Sequence, residues 1–397
     1  MKATDTPLNV LVVGAGMYVC GRGTPGVGTV LPTLVSAQCA GLVGEIFVAG
    51  TSVQSLKSLQ AKLAKINDSL GTNVDIRGYP IDGLADPFAY RVALTDLPRP
   101  ACGIVAVPDN LHAPISADLI RAGLHVLVVK PLTPTLEEAR SLVELAERHD
   151  VYGAVEFHKR LDESNLLLRQ VVADGRLGDL CYITVEYSQR RQIKEAFRSW
   201  IKQTNVFQYL GVHYVDIIYF VTRARPIRAL ATGQPRHTAS QALGSLDAIQ
   251  AIVEWENAET SQPFVSSIAT NWIDPNSSSA MSDQKITVVG TGGRYDADQK
   301  HRGVQLVTEE GGVEEVNPYF SQLYTGPSGQ PGVHGYGPRC IQQFLQDVKD
   351  LVAGRCQRRI LLTTRPSFQE ALASTAVIEA VNRSLTQGSE WVPIEKM

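Results

Sequence analysis

The sequence predicts an α/β protein: a doubly wound parallel sheet over residues 1–156, then a second α/β domain over residues 157–397 with a large, mostly antiparallel open sheet. Three observations carry this. Short β-branched apolar runs alternate with amphipathic helical segments through the first part of the chain, as parallel strands buried on both faces require. Later strands are richer in Thr, Tyr and Ser and alternate in polarity, the pattern of a sheet with one covered face. At 397 residues the chain also exceeds what one hydrophobic core usually serves.

The first strand is the run from Leu8 to Val13, ending in Gly14-Ala15-Gly16. The second, Ile46 to Ala49, leads through Gly50-Thr51-Ser52 into a helical stretch from Val53 to Lys65. The third, Gly103 to Val107, stops at Pro108, and the fourth, His125 to Val129, stops at Lys130-Pro131. Helices are expected from Pro114 to Ala122 and from Thr135 to Arg148, and a strand from Val151 to Glu156. The domain boundary is therefore expected near 157. Alternating strands then follow at Cys181–Tyr187, Ile227–Thr232, Gln250–Trp255, Ser266–Trp272 and Lys285–Val289. The stretch Pro318 to Pro338, crowded with Gly, Pro, Ser and Tyr, reads as a loop, and two long helical patterns flank a segment from Arg358 to Arg365.

Composition narrows the function. A net charge of -3 offers no attraction for a polyanion, so no nucleic-acid partner is expected. No apolar run reaches membrane-spanning length, and the first residues lack the apolar core of a secretory signal, so a cytoplasmic protein with no membrane partner is expected. The 6 cysteines are scattered without metal-ligand spacing and the histidines form no H-E-x-x-H, so no metal is expected.

A glycine turn between a first strand and a first helix lets backbone N–H groups approach a pyrophosphate, which singles out Gly14, Gly16 and Met17. The third glycine of G-x-G-x-x-G is replaced by Val19, and further glycines at 21, 23, 26 and 28 predict an enlarged turn whose helix starts only near Val27 to Val30. A merely flexible glycine-rich loop is the plainer alternative. A phosphate-binding P-loop is excluded, because Arg22-Gly23 stand where Lys-[Ser/Thr] is needed. After the second strand, Thr51 and Ser52 stand where an acid would accept hydrogen bonds from a ribose 2'-hydroxyl and repel a 2'-phosphate. Either NAD or NADP fits, and NADP is favoured, with Lys57 or Arg22 as a source of positive charge.

Ordered motifs complete the reading: Pro108-Asp109-Asn110-Leu111-His112; Ala122-Gly123-Leu124-His125-Val126-Leu127-Val128-Val129-Lys130-Pro131-Leu132; Phe157-His158-Lys159-Arg160-Leu161-Asp162; and Leu210-Gly211-Val212-His213-Tyr214-Val215-Asp216. Together they resemble the Gfo/Idh/MocA family of oxidoreductases, with its P-N-x-x-H, A-G-x-H-V-L-x-E-K-P-L, N-R-R-F-D and D-x-G-x-H-x-x-D segments. The resemblance implies a Rossmann domain, a second domain whose open sheet forms a homodimer or homotetramer interface, and NAD(P)-dependent hydride transfer on a sugar, nucleotide sugar or cyclitol. It implies that Lys130 lies at substrate and nicotinamide, that His213 is the general acid/base, and that Pro108 and His112 shape the loop beside the nicotinamide. Val129 replaces the glutamate ahead of the lysine, and Tyr209 replaces an aspartate four residues before the histidine. Tyr209 and His213 are spaced to share one helix face, so Tyr209 is read as assisting in catalysis or as packing. Asp216 is expected to be structural, and Arg190, Arg191, Lys194, Lys300, His301 and Arg302 are either a basic lining or solvated surface. The rival function is a catalytically silent dinucleotide-binding regulator or scaffold. A redox-assisted elimination on a retained cofactor is a further variant of the enzyme reading.

Overall fold

The computed structural model describes residues 6–81, 84–237, 244–327 and 329–395, so the first five residues of the N-terminal segment lie outside it. They fall into two compact units: Met1–Leu132, Glu137–His158 and Tyr319–Glu370 in the first, Thr133–Leu136, Lys159–Pro318 and Ala371–Met397 in the second.

The first unit is built on six parallel strands, β1 (Leu8–Val13), β2 (Val43–Ala49), β3 (Arg77–Tyr79), β4 (Ala101–Val105), β5 (His125–Val129) and β6 (Gly153–Glu156), in the order β3-β2-β1-β4-β5-β6. β1 pairs with β2 on one side and β4 on the other, so the winding reverses there; in sheets wound this way the ligand-binding crevice lies beyond the carboxyl ends of the strands at that point. Val10, Leu11 and Val12 have no exposed surface, which is why these strands read as continuous apolar runs. Helix Val53–Leu70 extends five residues beyond the expected end and buries Leu59, Leu63, Ile66 and Leu70 as one stripe, capped by Ser52 and closed by Gly71 at φ 63°. β3 and the helix Ala89–Asp96 escaped the sequence reading, being too short to show a period.

The stretch 318–338 is not a plain loop. A hairpin forms there, Gln322–Thr325 with Pro331–His334, closed by the Gly326 N–H donating to the Gln330 carbonyl at 2.9 Å and by the rings of Tyr324 and His334 stacked 4.0 Å apart. The glycines and prolines mark its turn, while its four-residue strands are too short to show alternation. The following helix Tyr336–Val352 sends Ile341, Phe344, Leu345 and Val348 into the core formed by Leu31, Leu34 and Val35, and this places residues 319–370 with the first unit.

The second unit carries a seven-stranded sheet: β7 (Leu180–Arg190), β8 (Arg225–Gln234), β9 (Ala248–Glu256), β10 (Pro263–Asp274), β11 (Ser282–Gly290) and β12 (Gly293–Asp298), with Val392–Pro393 added at the edge beside β8. Their order is β12-β11-β7-β10-β9-β8 and then the edge strand; β7 and β10 pair in parallel and the other neighbours antiparallel. One face buries Ile183, Val185, Ala251, Val253, Trp255 and Ile268, while the other exposes Tyr182, Ile252 and Val265.

Candidate functional site

The glycine turn sits at the crevice of the first unit. Gly14, at φ 120°, follows β1 so closely against the chain after β4 that a Cβ would lie 2.1 Å from the Ala106 carbonyl oxygen. A Cβ on Gly16 would meet no atom within 4 Å, so the backbone there borders open space. Met17 begins a single helical turn, Met17–Cys20, that Gly21 ends at φ 70°; the chain folds back on this turn at Gly28, and the long helix resumes at Val30, ending at Cys39. The enlarged turn is tied from outside by Lys62, whose ammonium donates to the carbonyls of Thr24 and Gly26. Thr51 is exposed, and the Ser52 hydroxyl accepts the Ser55 N–H at 3.3 Å as a helix cap. Arg22 and Lys57 are exposed. The open backbone at Gly16 and the tight passage at Gly14 fit a dinucleotide's pyrophosphate.

Lys130 follows β5 at the same carboxyl edge and is 8% exposed. Burial lowers its ammonium from the usual lysine range to about 8, against the opposing pull of the Asp109 and Glu156 carboxylates. Pro108 opens the turn Asp109–Leu111 that carries Asp109. His112 joins the two loops: its Nδ1 lies 2.7 Å from the Pro131 carbonyl and its Nε2 3.0 Å from the Val107 carbonyl. The sequence reading missed the acid beside the lysine. Glu156 ends β6 with no exposed surface, accepts the Tyr18 hydroxyl at 2.7 Å, and lies 2.9 Å from His158 Nδ1 through both oxygens. The His158 ring stacks with Tyr18 and Tyr336 at 6.1 and 5.7 Å. The available signal was an acid closing a strand at the ligand-binding edge of a parallel sheet.

In the second unit His213 lies near the start of helix Val212–Thr222, 4% exposed, its ring tilted 45° at 6.0 Å from Tyr187. The expected continuous α-helix is interrupted, because Phe207–Gly211 forms a π turn holding Tyr209. Gly211 permits it: a Cβ there would come within 2.6 Å of the Phe207 ring. The Tyr209 ring packs edge-on to Phe197 at 4.8 Å and tilted to Trp272 at 6.3 Å. Asp216 takes both ends of the Arg160 guanidinium, at 2.9 and 2.6 Å, a buried bidentate pair. Lys159, which the sequence reading gave only as part of a motif and with no role, is 2% exposed, donates to Gln284 and lies 5.2 and 5.5 Å over the rings of Tyr187 and Tyr214. Lys194 pairs with Asp247 at 2.6 Å, Lys300 with Asp283 at 3.1 Å and Arg302 with Asp162, and His301 Nδ1 lies 2.8 Å from an Asp298 carboxylate oxygen, so these groups are engaged within the protein. The structure thus gathers Gly14, Gly16, Met17, Pro108, His112 and Lys130 in the first unit and places His213 and Tyr209 in the second. Among the described residues no cluster of His, Cys, Asp or Glu is arranged to hold a metal ion, and no helix is long and apolar enough to cross a membrane.

A doubly wound parallel sheet with a glycine turn and a buried lysine at its carboxyl edge, followed by a mixed open sheet, defines a two-unit protein of the Rossmann class. Two family models match the chain: the oxidoreductase family, NAD-binding Rossmann fold, over residues 51–157, and the GFO/IDH/MocA C-terminal domain over residues 166–296. The chain belongs to the Gfo/Idh/MocA family. An uncharacterised oxidoreductase of Schizosaccharomyces pombe is 35% identical over 117 residues, 28% of this chain and 32% of that protein. The scyllo-inositol 2-dehydrogenase (NADP(+)) IolW of Bacillus subtilis is 30% identical over 127 residues, 31% of this chain and 35% of the relative. The match therefore spans about a third of these curated relatives. The crystal structure of scyllo-inositol dehydrogenase from Lactobacillus casei with bound NAD(H) and scyllo-inositol superposes with a TM-score of 0.65 at 16% identity, covering 98% of this chain and 99% of that one, a likeness of fold.

Proposed function

We propose that this protein is an NAD(P)-dependent oxidoreductase that moves a hydride to or from a hydroxyl-bearing carbon of a cyclitol or sugar, with NADP preferred. The observation that carries the proposal is Lys130: a buried ammonium at the carboxyl edge of a doubly wound sheet, beside the switch-point crevice, with its protonation brought near neutrality. The inositol dehydrogenases among its relatives support the substrate class.

The nicotinamide, when bound, supplies or accepts the hydride. The turn at Gly14, Gly16 and Met17 would receive the pyrophosphate, Thr51 and Ser52 the adenosine ribose, and Pro108 and His112 would wall the nicotinamide side. Lys130 hydrogen-bonds the reacting oxygen and stabilises alkoxide character as it develops. His213 takes the hydroxyl proton on oxidation and returns it on reduction, with Tyr209 assisting. The apolar residues Tyr182, Ile252 and Val265 on the outer sheet face support assembly into a dimer or tetramer.

Single-turnover hydride transfer with NADP or NAD and a panel of inositols and sugars tests the reading. Lys130→Ala is expected to lower the rate by at least ~10²-fold and His213→Ala by roughly 10² to 10⁴. Wild-type rates in both variants would show the proposed site to be wrong, whereas no hydride transfer by the wild-type protein with any of these substrates would favour the catalytically silent regulator. Fluorescence titration is expected to show tighter NADP(H) than NAD(H) binding, and the reverse order would refute the preference drawn from Thr51 and Ser52.

A further inference from the structure

In a dinucleotide-binding turn of regular length the third glycine lets the following helix pack closely against the first strand. Here Val19 occupies that position and the long helix starts only at Val30, so the backbone of residues 16–29 must be fastened by other means. Part of the fastening is local. The Gly21 N–H donates to the Met17 carbonyl at 2.7 Å, and the Thr29 N–H donates to the Tyr18 carbonyl at 2.8 Å, which closes the turn on itself at Tyr18.

The Tyr18 side chain makes a longer connection. Its hydroxyl donates to Glu156 at 2.7 Å, and Glu156 closes β6. In the sheet, β4 and β5 stand between β1 and β6. Three strand spacings of about 4.8 Å, roughly 14 Å in all, separate the strand that the turn follows from the strand that holds it. The bond therefore spans the carboxyl edge, where a doubly wound sheet receives its ligand.

Its far end is fixed. Glu156 has no exposed surface, and His158 Nδ1 lies 2.9 Å from both of its carboxylate oxygens. The His158 ring in turn stacks with Tyr18 and, from the helix Tyr336–Val352, with Tyr336. Burial, then the Glu156 charge, raises the Tyr18 phenol well above its ordinary value, so it keeps its proton and remains the donor. A hydroxyl donating to a carboxylate is among the stronger hydrogen bonds a side chain makes.

We propose that Tyr18 is a positioning residue for the dinucleotide: tied to Glu156 across the carboxyl edge, it holds the Gly16–Met17 backbone where the pyrophosphate is received, in place of the missing third glycine. This role rests on the reading of the glycine turn as a pyrophosphate site; the tie itself belongs to the fold. Tyr18 acts through the backbone of its own turn, so its loss should show in binding of the pyrophosphate and not of the adenosine half.

Tyr18→Phe keeps the ring and removes the hydroxyl. Calorimetric titration compares NADPH, 2'-phospho-ADP-ribose, which has the pyrophosphate without the nicotinamide, and adenosine 2'-monophosphate, which has neither. The first two should bind the variant roughly 10-fold more weakly or worse, the loss of one hydrogen bond to a charged group, and the third should bind as it does to wild type. Glu156→Leu should repeat this pattern, while Glu156→Gln, which still offers the phenol an oxygen, should lose less. The double variant Tyr18→Phe/Glu156→Leu should lose no more than either change alone. Without ligand, amide hydrogen exchange over residues 16–29 should quicken in Tyr18→Phe while that of β1 stays as in wild type. If Glu156→Leu fails to fold, Tyr18→Phe, which leaves the carboxylate with His158, decides. Unchanged NADPH affinity in Tyr18→Phe would overturn the proposal, and so would an equal loss for all three ligands, which would make the tie general support. A wild-type protein that binds none of the three defeats the cofactor reading and this role with it, whereas tight wild-type binding with an indifferent Tyr18→Phe defeats this role alone.

Discussion

Lys130→Met should stabilise the protein, and the gain should depend on pH. The side chain keeps its length and apolar stem while the buried charge disappears. In the folded chain the ammonium is held at about 8, against 10.5 as its ordinary value. At ~1.4 kcal/mol per pH unit that difference corresponds to about 3 kcal/mol. Below pH 8 both folded and unfolded chains carry the proton, and the folded chain bears the full penalty. Between pH 8 and 10.5 the folded lysine is neutral while the unfolded one still binds its proton, so wild-type stability rises with pH relative to the variant. The expected result is a gain for Lys130→Met of about 3 kcal/mol at pH 7, or roughly 6–12 °C in the melting of the first unit, closing as pH approaches 10.5. Paired calorimetric scans at pH 7, 8.5 and 10 check it. A variant no more stable than wild type at pH 7, or a gap that does not change with pH, would refute the claim that burial of a charged lysine governs this position.

Asp216→Ala should lose ~3–5 kcal/mol in urea unfolding, since it leaves the Arg160 guanidinium buried without its bidentate partner. Gly14→Ala forces a Cβ to within 2.1 Å of the Ala106 carbonyl oxygen at φ 120°, so stability should fall by roughly 1–3 kcal/mol or more and dinucleotide affinity with it, read by calorimetry and fluorescence titration. Tyr209→Phe keeps the ring contacts with Phe197 and Trp272; a large loss of hydride-transfer rate would make the hydroxyl a participant, and a near-normal rate would leave the residue to packing. Light scattering at micromolar concentration should give a dimer or tetramer, and Ile252→Lys on the outer sheet face should shift it towards monomer.

What the sequence determined by itself was local. Apolar β-branched runs, helix stripes and the proline after Lys130 are written within a few residues, because burial on both faces of a strand and 3.6-residue periodicity act at that range. The glycine turn was legible for the same reason, since its demands fall on single backbone positions such as Gly14. Tertiary structure decided the charges. Glu156 and Tyr18 are 138 residues apart in sequence and 2.7 Å apart in the fold, and Arg302 finds Asp162 across 140 residues. Whether Lys194 and Lys300 can serve a ligand depends on the partners that folding brings to them. Nor does local pattern show that the hairpin and helix of residues 319–370 complete the first core, because their apolar stripe names no partner. A hydrophobic period specifies that a face must be covered; only the packed chain specifies what covers it, and with which charge.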